Sequence, residues 1–302
     1  MISQKSSSLH RINADRPLSR VQRQLYMLFN GANNFFGHAG VDKSLQIREF
    51  DSVEVDDYWD RLYPTSSPSR KLSDLFWMTL PWADIKNELG EIKVLDIGCG
   101  TGDYGQRLQE YSENNISRYA GVDVKANARW EELTHENAGF QFTQVDSSVL
   151  PIPEGTTFIM SQSAIEHVEE DLSYFEQMRH YVVAQGSSVL QVHLVPAAAC
   201  LKTYGYHGVR QYTPRTVSKL TRLFSEFSYT VLVGLGGREC NNIHLEYITR
   251  PLRRGLKDQR MERTDEYESG LYHAIKADMA RPQKSPAFYA LIIHSNWGKR
   301  LF

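Results

Sequence analysis

Cysteine is scarce in this 302-residue chain: Cys99, Cys200 and Cys240 are odd in number, far apart and show no CxxC spacing. That argues against a disulfide framework and against a structural zinc site, and fits a reducing cytoplasm. Long apolar runs are missing too. The most apolar stretch, Val189 to Leu201, is broken by Gln191, His193 and Pro196, and a spanning helix needs about 20 apolar residues. Charge of one sign is absent: Lys plus Arg total 34 against 36 for Asp plus Glu, a formal net charge of -2. A nucleic-acid partner is therefore not expected from the overall field. Met1 to Asn13 is Ser-rich and polar, without the apolar segment of a signal peptide. Residues 1–15 read as a disordered tail.

What is present is an ordinary globular composition, 41% hydrophobic and 23% charged, enough to bury a core. Residues 16–89 read as an N-terminal helical cap. A helix is expected from Asp15 as N-cap to about Phe29, with Leu18, Val21, Leu25 and Leu28 at helical spacing. The Gly- and Asn-rich 31–40 segment reads as a loop. A second helix carries Leu72, Leu75, Phe76 and Thr79 and stops at Pro81. After Gly90 the texture alternates strand and helix. Strands are expected at Ile92–Ile97, Tyr119–Val124, Phe140–Val145, Thr157–Met160, Ser188–Leu194, Tyr229–Leu235 and Phe288–His294. Such alternation predicts an α/β domain over 90–302, with a mostly parallel seven-stranded sheet, helices on both faces and a helical insertion at 240–285.

The run VLDIGCGTG, Val94 to Gly102, sets glycines at every second position between a buried strand and a helix. Backbone N–H groups in such a turn can approach a ligand closely. Gly100, Gly102 and Gly105 also fit the GxGxxG of dinucleotide enzymes, so the glycines alone are ambiguous. Asp96, at the strand end, would repel a pyrophosphate but would suit an amino acid's ammonium group.

On these residues the chain resembles the class I S-adenosylmethionine-dependent methyltransferases of small-molecule type, whose first motif is an acid followed by GxGxG. The resemblance covers about residues 90 to 235 and the last strand. It implies a Rossmann-like, doubly wound sheet and S-adenosyl-L-methionine as cofactor, held by Asp96, Gly98, Cys99, Gly100 and Gly102. It further implies that Asp123, with Val124, meets the ribose, and that Asp146, with Ser147, faces the adenine. The loop after the fourth strand, SQSAIEHVEED (161–171), would add Gln162 to the cofactor set and bring Glu166 and His167 to the acceptor. HGVRQYTP (207–214) matches a stretch after the fifth strand and places His207 and Tyr212 near the same rim, with Tyr206 beside them.

An alcohol acceptor needs a group to take its proton, and histidine suits neutral pH. His167 is favoured over His207 for that role. Relatives that bind a metal use ExxEH, and Ser163 stands where the first Glu would be, so no metal is expected. His193 reads as a core histidine, Glu166 and His167 as the opening of a helix, and Arg250 to Arg263 as a solvated basic face or a lid for an acidic acceptor. The expected activity is O-methylation of a small molecule or glycan in the cytoplasm. An RNA 2′-O-methyltransferase and a catalytically inactive binding module remain alternatives. Acceptor identity and oligomeric state are not legible.

Overall fold

The computed structural model describes residues 5–50, 53–146, 148–281 and 285–302. Its strands are β1 Leu45–Glu49, β2 Ile92–Ile97, β3 Ile116–Asp123, β4 Phe140–Gln144, β5 Phe158–Gln162, β6 Val189–Pro196, β7 Ser228–Leu235 and β8 Phe288–Ser295. They form one sheet of eight strands in the order β1-β7-β8-β6-β5-β2-β3-β4, and only β8 runs antiparallel to its neighbours. The expected count of seven is therefore corrected by β1. Its sequence, LQIRE, alternates apolar and polar residues, but only Leu45 is buried and Ile47 is exposed. What fixes it is backbone pairing along β7, from Leu45 opposite Thr230 to Glu49 opposite Gly234.

The helices are α1 Arg20–Phe35, α2 Pro68–Met78, α3 Trp82–Leu89, α4 Asp103–Tyr111, α5 Arg129–Glu136, α6 Asp171–Gln185, α7 Cys200–Tyr204, α8 Pro214–Thr221, α9 Arg238–His244, α10 Arg250–Arg253 and α11 Thr264–Met279. One core lies between the sheet and Leu72, Leu75, Trp77, Ile85, Leu108, Leu271 and their neighbours. The other holds Phe175, Met178, Val182, Val217 and Leu220 against Leu95, Ile159 and Ile293. Alternate residues of each buried strand feed opposite cores, as a sheet covered on both faces requires. The chain runs outward from β2 through β3 and β4, then crosses to β5 and β6 on the other side. The strand order reverses at β2 and β5, and the crevice beyond their carboxyl ends is where such a sheet binds ligands.

Two expectations for the N-terminus fail. Residues 1–4 lie outside the described residues, but the rest of the expected tail is docked. The Ser7 N–H and hydroxyl donate to the two carboxylate oxygens of Asp171 at 2.7 and 2.5 Å, and Lys219 Nζ donates to the Ser7 carbonyl at 2.7 Å. Serines are poor core formers but good partners for a buried charge. The first helix starts later than expected because Ser19, not Asp15, makes the capping box with Gln22. It also turns its apolar stripe outward: Val21, Leu25 and Leu28 are exposed, while Tyr26, Asn30 and Asn33 are buried. Tyr26 Oη donates to the His207 carbonyl at 2.7 Å and Asn34 Nδ2 to the Ala198 carbonyl at 3.0 Å. Satisfying those loop carbonyls selects the polar face of α1 for the inside.

Candidate active site

The turn after β2 carries the glycines in left-handed backbone, with φ of 73° at Gly98 and 56° at Gly100. A Cβ on Gly98 would stand 2.4 Å from Ala164 Cβ, so this turn and the loop after β5 touch; one on Gly100 would project into open space. The Gly100 N–H donates to Asp123 Oδ2 at 2.9 Å, tying the first strand end to the second. Gly102 precedes α4, and Phe142 and Leu133 fill the room a side chain would need there.

Asp96 is buried beneath this turn. Tyr119 donates to its Oδ2 at 2.5 Å, and its Oδ1 has no hydrogen-bond partner among the described residues. Burial, reinforced by the Asp123 charge, pushes its pKa up to about 7 against the Tyr119 bond. A buried carboxylate oxygen without a partner, next to a glycine cradle open on one side, fits the ammonium of an amino-acid ligand. Asp123 is half-buried at the end of β3, also accepting from Lys125 N at 3.0 Å, and Val124 beside it is exposed. Those positions suit a ribose and the face of a base. Trp130 closes the same corner, its Nε1 donating to the Gly100 carbonyl at 2.9 Å while its ring stacks on Phe142.

Other expected cofactor residues are placed differently. The Gln162 side chain is spent, accepting from Trp77 Nε1 at 3.0 Å and donating to Ser73 Oγ at 3.1 Å. The fit of α2 against the end of β5 uses up both of its polar atoms. Asp146 is exposed and caps its own turn through Ser148 N at 2.8 Å, and Ser147 lies outside the described residues. Cys99 is packed against Gly121, and burial pushes its thiol far above its ordinary range, so it is no nucleophile.

Glu166 and His167 do not open a helix. Ile165–His167 is a single 3₁₀ turn, and α6 begins only at Asp171. That turn leaves the Glu166 carboxylate buried, with no hydrogen bond to either oxygen among the described residues. His167 Nε2 and His207 Nε2 stand 3.8 and 3.9 Å from its Oε1, and their rings meet edge to face at 4.7 Å. His167 Nδ1 is held by Asp15 Oδ2 at 2.7 Å. The nearby Glu166 charge raises the His207 pKa, overcoming the opposing effect of burial. Asp15, His167 and His207 each offer a ligand atom, all within 4.8 Å of one another. Asp15 is the member the sequence did not single out for this site, because it lies far upstream.

Two cavities adjoin this cluster. The smaller, about 190 Å³, is lined by Arg70, Gln162, Ser163, Glu166, Tyr204 and His207, among others. The larger, about 340 Å³, is lined by Tyr204, His207, His244, Ile248, Leu252 and Arg253, among others. Tyr204 and His207 form the wall they share. His167 lines neither of these cavities. Arg70 and Tyr204 carried no sequence signal, since they sit in segments that match no motif. Tyr206 is exposed, its ring 5.7 Å from that of Tyr26.

Tyr212 was expected in the acceptor pocket, and this is corrected. It is fully buried, with Oη donating to Asp171 Oδ2 at 2.9 Å. Arg210, equally buried, donates to the Val168 and Glu169 carbonyls at 2.7 and 2.9 Å and stands 3.3 Å from Asp171. This ion pair fixes the two rim loops and the N-terminal segment together. Tyr212→Phe should therefore cost about 1–2 kcal/mol in urea unfolding and leave ligand binding unchanged. A change in binding without a change in stability would return Tyr212 to the pocket.

His193 is a core histidine as expected, with Nδ1 2.9 Å from Ser161 Oγ and its pKa lowered to about 3 by burial. Several cations of the basic 250–263 stretch are paired or bound locally: Arg260 with Asp258, Arg263 with Glu266, Arg253 with the Lys202 carbonyl. Among the described residues no helix is long and apolar enough to cross a membrane.

Residues 94–186 match the family model of a methyltransferase domain. Over that stretch the chain is similar to a methyltransferase domain. The match ends before the rim loop at 207–214 and covers neither the N-terminal segment nor α7 to α11, where much of the cavity wall lies. No curated protein matches the chain. Among solved structures, the plantazolicin methyltransferase BamL, in complex with a triazolic desmethylPZN analog and SAH, aligns at 14% identity and a TM-score of 0.46 over 91% of this chain and 97% of that one. The 1,6-didemethyltoxoflavin-N1-methyltransferase of Burkholderia thailandensis aligns at 13% and 0.41 over 93% and 92%. The [4+2]-cyclase SpnF aligns at 12% and 0.45 over 93% and 97%. At such identities and scores these likenesses decide nothing about what the methyltransferase domain acts on.

Proposed function

We propose that the protein transfers the methyl group of S-adenosylmethionine to an oxygen of a small molecule held in the paired cavities. The observation that carries this is the orphaned Asp96 oxygen beneath the open Gly100 turn, beside Asp123 at the neighbouring strand end. The bound cofactor supplies an activated methyl on a sulfonium, ready for in-line displacement. Asp96 takes the ammonium, Asp123 the ribose hydroxyls, and Arg70, in the wall of the smaller cavity, the carboxylate. The remaining tasks are to align the acceptor, exclude water and remove its proton. His207 is the proton acceptor, since it borders both cavities, and Glu166 behind it stabilises the imidazolium that forms. His167, pinned by Asp15, fixes the geometry of that carboxylate.

Calorimetric titration with S-adenosylmethionine and S-adenosylhomocysteine tests the root of this reading, with micromolar binding of both expected. Asp123→Ala should weaken binding by about 1.5–3 kcal/mol, because it removes a charged acceptor of two hydrogen bonds. A parent protein that binds neither ligand would end the proposal.

A further inference from the structure

The larger cavity includes His244 among its polar lining residues. Beyond α9 the chain makes a π turn, Leu245–Thr249, before α10. A π turn brings residues five apart onto one face, and here it sets His244 Nδ1 2.9 Å from Thr249 Oγ1. The Thr249 hydroxyl has a single hydrogen, and that is donated to the Thr203 carbonyl at 2.8 Å. Thr249 Oγ1 can therefore only accept from the imidazole, so His244 carries its proton on Nδ1. A neutral ring has no second N–H, and Nε2 is left as a lone pair with no hydrogen-bond partner among the described residues. Burial, with help from Arg260, lowers the His244 pKa to about 4, so the ring is neutral at physiological pH.

The surroundings define what meets that lone pair. The Tyr204 ring lies 5.0 Å from the His244 ring, edge to face, and 5.3 Å from His207. Ile248 and Leu252 complete an apolar wall, and the Arg253 guanidinium is held on the Lys202 carbonyl at 2.9 Å. Aromatic edges and aliphatic groups favour a flat ring, and a cavity of about 340 Å³ has room for one. The lone pair of a neutral imidazole offers no hydrogen to a carboxylate or phosphate. A group that donates would be accepted.

We infer that the larger cavity is a recognition subsite for an aromatic or heteroaromatic portion of the acceptor bearing one neutral O–H or N–H donor, with His244 Nε2 as the accepting atom. The inference rests on the methyltransferase reading for the identity of the ligand as acceptor, and on the cavity alone for its chemistry. His244 is a specificity residue; the shared Tyr204–His207 wall places the ring away from the strand ends and its reacting end toward them.

The test uses the full chain and two probes, 4-ethylphenol and its methyl ether 4-ethylanisole, which lacks the donor, with and without saturating S-adenosylhomocysteine, followed by ligand-observed and histidine ¹⁵N nuclear magnetic resonance. The phenol should bind and shift the His244 Nε2 resonance, and the anisole should bind about tenfold more weakly. His244→Phe should remove the preference for the phenol, and His244→Gln, which restores an acceptor near the Nε2 position, should recover part of it. Equal binding of both probes, or a phenol preference that survives in His244→Phe, would overturn the inference. S-adenosylhomocysteine binding, measured in every variant, reports folding and keeps the two readings apart. Its absence in the parent, with the phenol preference intact, would end the methyltransferase proposal and leave the subsite standing.

Discussion

His207→Ala is expected to lower the single-turnover rate by about 10²–10⁴-fold, the usual contribution of a positioned general base. The backbone of the loop should survive, because it is held from other residues: Tyr26 Oη bonds the His207 carbonyl at 2.7 Å and Gly208 N donates to Asp15 Oδ1 at 3.1 Å. Cofactor affinity should therefore change little. His207 has its pKa raised by Glu166, so the rate limb that reports its deprotonation should lie above the ordinary histidine value. Glu166→Gln should move that limb toward lower pH, since the amide no longer favours the imidazolium. His167→Ala should cost less than His207→Ala, because His167 lines neither of the two cavities. The opposite ranking would restore His167 as the base. Dialysis against a chelator should leave the parent rate intact; a loss repaired by a divalent ion would make Asp15, His167 and His207 a metal centre instead.

The sheet strands and glycine turn were legible in the sequence because their signals are local. Buried runs such as Ile92–Ile97 follow from β-branched residues alone, and a turn that needs positive φ leaves its glycines at fixed spacing. Acids at strand ends were equally readable, since burial of Asp96 and the tie between Asp123 and Gly100 both follow from the turn. The rest depends on partners distant in the chain. Asp171 meets Ser7, Arg210 and Tyr212 only after folding, and that meeting turned an expected tail into structure and an expected pocket residue into core. Strand β1 is set by pairing with β7 rather than by its own pattern. The same holds for α1, whose stripe pattern is clear but whose buried side is chosen by carbonyls in the 198–207 loops. Gln162 was expected in the loop after Met160, but it is the last residue of β5 and two residues of α2 claim its amide. The acceptor side of the site is less legible than the cofactor side for this reason: its walls come from α2, α7 and the segment after β7, which share no motif.

Cofactor affinity is expected to rise with pH and to do so through Asp96. In the free protein its pKa stands at about 7 against an ordinary 3.8, with burial as the main cause, Asp123 adding to it and Tyr119 and Arg70 opposing. An acid whose pKa is raised on folding is protonated in the folded chain across that interval. Its contribution to stability is complete below the ordinary value and is lost as pH climbs through about 7. An ammonium group arriving at the unpartnered Oδ1 reverses the preference, because it stabilises the carboxylate. Binding below pH 7 must then expel a proton, and affinity should fall by up to about tenfold for each pH unit below that point. Between about pH 5 and 7 the loss approaches 100-fold; above 7 the curve should level. Calorimetry with S-adenosylhomocysteine in two buffers of different ionisation enthalpy counts the protons directly. Close to one should be released at about pH 5.5 and close to none at about pH 8.5. Asp96→Asn should flatten the pH dependence while weakening binding at the alkaline end, where the carboxylate would be charged. A parent whose affinity is level from pH 5 to 8 with no proton released would show that the ammonium does not meet Asp96, and would leave the buried acid as a partner of Tyr119 alone.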